Sequence, residues 1–238
     1  MRPSSIYFFI CFLFLISSLA ASSSHPRNQK ILTESQQEVD LFLLITGCGR
    51  SGTTYISEAL QQAGLDIGHE SLRKDGCASW LMNVQSDHAP YGRKSTENIR
   101  YQHIFHQVRH PLDVISSTYW TITQKSFAFF SEYIPEIDIQ NDSKLIKSAK
   151  YWYYWNLMAE QKAEWTYKIE NIDLVWDEMA TRLGIPLKRD PLTTVSRTTN
   201  HRKAKEAKFT WSDLAEQLPV DLFCAIQEMT LRYGYTID

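Results

Sequence analysis

The sequence predicts an α/β fold: a single domain with a central, mostly parallel sheet flanked by helices and a P-loop-like turn at its rim. Three observations carry that prediction. The run Leu41–Ile45 is apolar without alternation, as expected of a strand buried on both faces of a parallel sheet. A glycine-rich loop, Gly47-Cys48-Gly49-Arg50-Ser51-Gly52, follows it and opens into a stretch of helical apolar spacing. That order of strand, loop and helix N-terminus aims backbone N–H groups and a helix dipole at an anion. A second candidate strand, Ile104–Val108, leads to Pro111, and proline suits the first turn of a helix. At 238 residues the chain is long enough for one such domain with a real core.

Composition and the chain ends narrow the setting. A net charge of −2 and a pI near 6.4 give no basic field, which argues against bulk nucleic-acid binding. The 13% aromatic content, with seven tryptophans, fits an enzyme cleft and a packed core equally. Arg2 precedes an apolar run from Ile6 to Leu19 that ends in small residues, the pattern of a signal peptide. The run is a little short of the ~20 residues of a membrane span. Residues 1–22 therefore read as a signal peptide or a signal anchor, 23–39 as a polar stem, and 40–238 as the folded domain. Either reading sends the chain into the secretory pathway, to the Golgi lumen or membrane or out of the cell. Beyond Cys11, the chain carries Cys48, Cys77 and Cys224, so at most one disulfide forms within it. Cys77–Cys224 is the candidate pair in an oxidising lumen. Asn141-Asp142-Ser143 is an N-glycosylation sequon.

Taken in order, the spacing predicts a helix over Thr53–Ala63, with Tyr55, Ile56, Ala59, Leu60 and Ala63 on its apolar face. Gly64 ends it. Leu65–Ile67 reads as a short strand that delivers Gly68-His69-Glu70. Ligands of open α/β sheets bind beyond the carboxyl ends of the strands, so Glu70 belongs on the rim with Arg50. His69 should point the opposite way if the segment is extended. Residues 73–80 read as polar, entering a helix near Trp80–Val84; 87–92 read as a loop. A long helix is expected over Lys144–Trp165, carrying Tyr151, Trp152 and Trp155, whose spacing fits core packing better than a sugar platform. A strand over Tyr167–Ile172 and a helix over Val175–Leu183 follow. The basic run 197–208 holds Arg197, His201, Arg202, Lys203, Lys205 and Lys208. Helices over Trp211–Leu214 and Leu222–Tyr233 close the chain, and no internal repeat is visible.

The chemistry rests on two motifs. Gly47 and Gly52 sit at the glycine positions of the phosphate-binding pattern G-x-x-x-x-G-K-[ST], but Thr53 stands where the lysine would reach a γ-phosphate. The cation is Arg50, inside the loop. CGRSGTTY thus resembles the 5′-phosphosulfate loop of sulfotransferases that use 3′-phosphoadenosine-5′-phosphosulfate (PAPS). VRHPLDVISS resembles the same family's 3′-phosphate motif, an Arg followed by Pro two residues on, Asp two later, and Ser eight after the Arg. The likeness spans about Phe42 to Tyr235, strong in these motifs and weak between them.

The resemblance implies transfer of a sulfuryl group from PAPS to an acceptor hydroxyl, by in-line displacement and without a metal. Arg50, Ser51, Gly52, Thr53 and Thr54 would hold the 5′-phosphate end. Arg109 and Ser117 would hold the 3′-phosphate, joined by Arg202 or Lys203 from the basic run. For the general base it points first to Glu70 and second to His88, which precedes Pro90 about twenty residues ahead of Arg109. A glycan acceptor is favoured by the secretory context, with tyrosine and small alcohols remaining. Two other functions stay open. A P-loop kinase or nucleotide hydrolase is opposed by Thr53 and by Arg109, where a magnesium-binding carboxylate belongs. A silent PAP- or glycan-binding module would set Glu70 and His88 apart from Arg50.

Overall fold

The computed structural model describes residues 39–84, 99–196 and 207–237. The expected leader, the stem up to residue 38, the second candidate base His88, and Arg202 with its basic neighbours to residue 206 lie outside them; Val39, expected as the end of the stem, opens the first strand. The elements in chain order are β1 (Val39–Thr46), α1 (Thr53–Ala63), β2 (Ile67–His69), β3 (Gly76–Ala78), β4 (Ile99–Val108), α2 (Pro111–Thr121), α3 (Gln124–Ser131) and α4 (Lys144–Glu160). There follow β5 (Trp165–Lys168), α5 (Ile172–Leu183), α6 (Pro191–Thr194), α7 (Trp211–Gln217) and α8 (Val220–Arg232). The five strands form one sheet in the order β2-β3-β1-β4-β5, and every pairing is parallel.

β1 occupies the middle, pairing Leu43 with Gly76 on one side and with His103 on the other. Its apolar run is what that position demands, since helices cover both faces. Leu43 and Ile45 pack with Tyr55, Ile56 and Leu60 of α1 and with Trp176 and Met179 of α5. The other core gathers Val114 and Ile115 of α2, Phe127 and Phe130 of α3, Trp152 and Trp155 of α4, and Ile226 and Met229 of α8. Each fully buried aliphatic side chain contributes roughly 1.5–3 kcal/mol, which favours this two-sided burial over any half-exposed alternative. The aromatic positions of α4 are structural: Tyr151, Trp152 and Trp155 are buried, and Phe130 stacks on Tyr151 with ring centroids 3.9 Å apart. They offer no open platform to a sugar.

Several boundaries differ from the sequence expectation. The helix beginning at Lys144 stops at Glu160, and Trp165 opens β5 instead, in keeping with the strand preference of Trp-Thr-Tyr. β5 is accordingly two residues earlier than expected, and α5 starts at Ile172. β2 begins at Ile67, not Leu65. Gly76–Ala78, expected as an irregular approach to a helix, is the strand β3 that separates β2 from β1. The helix expected near Trp80–Val84 is a single 3₁₀ turn over Leu81–Asn83. The Cys77–Cys224 bridge does not form: Cys77 is buried in β3, Cys224 is exposed, and both are free. Among the described residues, no helix is long and apolar enough to cross a membrane.

Candidate active site

The loop between β1 and α1 is largely buried, with Arg50 and Gly52 half-buried at its surface. Gly52 caps α1 in a left-handed conformation (φ 92°), which glycine adopts without steric cost. A Cβ on Gly49 would lie 2.8 Å from the Tyr151 hydroxyl, so only glycine lets the loop settle against α4. The first-turn N–H groups of Thr53, Thr54 and Tyr55 have no carbonyl of their own helix to meet, and the dipole adds partial positive charge there.

Buried polar side chains hold this loop from behind. The Cys48 N–H donates to Asn156 Oδ1 (3.3 Å), and the Gly49 N–H donates to the Tyr151 hydroxyl (3.0 Å). The Gln107 amide donates to the Ser51 carbonyl (2.7 Å) while its own oxygen accepts from the Tyr167 hydroxyl (2.7 Å). Asn156 Oδ1 also faces His106 Nε2 at 3.0 Å, and its amide donates to the Trp152 carbonyl. That orientation of Asn156 makes His106 Nε2 the donor. Burial lowers the His106 pKa from 6.5 to about 4, so the ring is neutral at neutral pH. Burial also pushes the Cys48 thiol well above its ordinary value. Cys48 is therefore a small packed residue of the loop and no nucleophile.

The strand β4 delivers Arg109, and Pro111 opens α2 as expected. Arg109 Nη1 donates to the Arg50 carbonyl (3.3 Å), and Nη2 lies 3.4 Å from Asp113 Oδ2. Arg50 reaches the same helix, its Nε donating to Ser117 Oγ (3.0 Å). Arg50, Arg109 and Ser117 thus meet at one place. Asp113 is shared with Lys208 at the end of the basic run. Burial raises the Asp113 pKa, but the Lys208 hydrogen bond and the Arg109 and Lys208 charges outweigh it, leaving the carboxyl below its usual range. Ala207 and Phe209 are tied to α2 as well: Trp120 Nε1 donates to the Ala207 carbonyl (3.2 Å), and the Phe209 N–H donates to Ser116 Oγ (2.9 Å). At the start of α2, the His110 N–H donates to Glu170 Oε1 and the Tyr235 hydroxyl to Glu170 Oε2.

Glu70 and His69 depart from the expected geometry. Among the described residues, Arg50 (φ 74°) and Glu70 (φ 53°) alone hold a positive φ without being glycine. Such backbone costs of order 1–3 kcal/mol and persists where the surroundings impose it. Both belong to this site. The left-handed turn at Glu70 cancels the alternation that would have set the two side chains on opposite faces. His69 Nε2 lies 3.2 Å from the hydroxyls of both Thr53 and Thr54 and 3.9 Å from Glu70 Oε1. The Glu70 side chain is only 11% exposed. Its charge is felt by the Tyr151 phenol, which burial, Cys48 and Glu70 together drive well up.

The arrangement fits an anion. Among the described residues the Ser51 hydroxyl is buried without a hydrogen-bond partner, and a buried unpaired donor costs about 1–3 kcal/mol, so an acceptor at the loop would relieve it. Among the described residues, no cluster of three or more His, Cys, Asp or Glu could hold a metal ion. Residues not anticipated from sequence are Tyr151, Asn156, Gln107, His69 and Glu170. Gln107 and Asn156 carried a signal: each is an amide at an otherwise apolar position, and a buried amide needs a partner.

No protein-family model and no curated sequence matches the chain. Among solved structures it is similar to the sulfotransferase domain from the curacin biosynthetic pathway, at 13% identity and a TM-score of 0.49, over 85% of this chain and all of that one. It is also similar to mouse sulfotransferase SULT7A1 complexed with PAP, at 13% identity and a TM-score of 0.30, over 78% of this chain and 68% of the other.

Proposed function

We propose that the chain is a sulfotransferase that takes a sulfuryl group from PAPS and transfers it to an acceptor hydroxyl. One observation carries the reading: two arginines from separate motifs, Arg50 and Arg109, converge with Ser117 of α2. A donor phosphorylated at both ends of one adenosine asks for two adjoining cationic positions. A nucleoside triphosphate asks instead for a lysine at Thr53 and a carboxylate at the end of β4, and neither is present.

In this reading the first-turn amides of α1 and the hydroxyls of Ser51, Thr53 and Thr54 hold the 5′-phosphate. Arg109 and Ser117 take the 3′-phosphate. The donor supplies an activated sulfuryl group whose departure leaves charge on a phosphate oxygen, and Arg50 stabilises that charge with a planar fork of donors. Glu70, beside the loop and nearly buried, accepts the proton of the incoming hydroxyl. Its place there opposes a silent binding module. We assign a carbohydrate hydroxyl as acceptor and the secretory pathway as setting, both on the apolar segment near the N-terminus.

Transfer of labelled sulfate from PAPS to a panel of glycans, tyrosine peptides and phenols tests the reading. Label should appear on one class, and glycans are expected. Absence of transfer to every class together with failure to bind PAP would overturn it.

A further inference from the structure

His69 touches both the anion loop and the proposed base, and the role inferred for it rests on the sulfotransferase reading of that site. Its Nε2 stands 3.2 Å from the Thr53 hydroxyl, 3.2 Å from the Thr54 hydroxyl and 3.9 Å from Glu70 Oε1. One nitrogen facing two hydroxyls allows two arrangements. If Nε2 is bare, the hydroxyls turn their protons toward it and present lone pairs to the loop's anion. If Nε2 carries the proton, it is shared between the two hydroxyl oxygens, and both O–H groups are left to donate elsewhere. The carboxylate of Glu70 favours the second arrangement, because it attracts an N–H and repels a lone pair.

The geometry points to His69 as a positioning residue: from Nε2–H it fixes the Thr53 and Thr54 oxygens as acceptors, so that both hydroxyls donate to the 5′-phosphate. The end of β2 places the imidazole there, and the left-handed turn at Glu70 brings the carboxylate to the same side. The same contact links the base to the cradle, since one ring borders both Glu70 and the two threonines.

The test compares PAP with adenosine 3′-phosphate, which lacks the 5′-phosphate, by calorimetric titration. His69→Ala should weaken PAP binding about ten-fold, the worth of roughly one hydrogen bond to a charged group, and leave adenosine 3′-phosphate unchanged. His69→Gln places an amide donor near the same point and should recover most of the loss. In a Thr53→Val/Thr54→Val background, His69→Ala should cost nothing more, because the groups it orients are gone. The inference is overturned if His69→Ala binds PAP like the wild type, if it weakens both ligands equally, or if its effect adds in full to the threonine pair. A wild-type protein that does not prefer PAP over adenosine 3′-phosphate overturns the donor assignment itself, and this inference with it, before any variant is compared.

Discussion

His106 should make the fold acid-sensitive in a defined window. Its ring is fully buried in β4, and burial lowers its pKa from 6.5 to about 4. The Asn156 hydrogen bond and the Glu160 charge pull the other way, and the Arg232 charge reinforces the lowering. Proton counting gives the sign: below pH 6.5 the unfolded chain binds a proton that the native state refuses, so stability falls with falling pH. The contribution is complete above pH 6.5 and is lost progressively down to about pH 4. At about 1.4 kcal/mol per pH unit, the loss across that window is roughly 3 kcal/mol. Urea denaturation between pH 4 and pH 7.5 measures it. Carboxylates lose stability in the same range, so His106→Gln is the control: it keeps an amide donor for Asn156 but does not titrate. The wild type should lose about 3 kcal/mol more than the variant on acidification. Parallel pH profiles for the two proteins would refute the account.

Three further outcomes are expected. Glu70→Gln should abolish sulfate transfer while leaving PAP affinity within a few-fold, read by turnover and titration; full activity would move the base elsewhere. Arg109→Ala should weaken PAP strongly but adenosine 5′-phosphosulfate, which has no 3′-phosphate, only slightly; equal losses would show that Arg109 does not read that group. Gly49→Ala should destabilise the protein by about 1–3 kcal/mol through overpacking, since the added carbon meets the Tyr151 hydroxyl at 2.8 Å. Combining it with Tyr151→Phe should return part of that loss in urea denaturation, and no return would mean the clash lies elsewhere.

The legible parts of the sequence were those where local chemistry and tertiary role coincide. The apolar run of β1, the glycines after it, the apolar face of α1 and Pro111 at the start of α2 each have one physical reading, and the structure uses that reading. β3 was not legible because three residues carry no period. Gly76 is there for a contact made far away in sequence: a Cβ at that position would lie 1.8 Å from the Leu43 carbonyl oxygen. His69 was misdirected by the assumption of an extended chain, which the left-handed turn at Glu70 breaks. Gln107 and Asn156 were visible as polar interruptions, but their targets, the Ser51 carbonyl and the Cys48 amide, depend on the packing of α4 and β4 against the loop.

The central place of β1 also has a cost during synthesis. Leu43 must wait for His103, sixty positions later (103 minus 43), before its outer edge is paired. At ~5–20 residues per second, a ribosome takes roughly 3–12 s to make that stretch. Throughout the interval Leu-Phe-Leu-Leu-Ile is a sticky ribbon with one flank bare, and a chaperone that shields it until β4 emerges would decide how much of the chain reaches its native state.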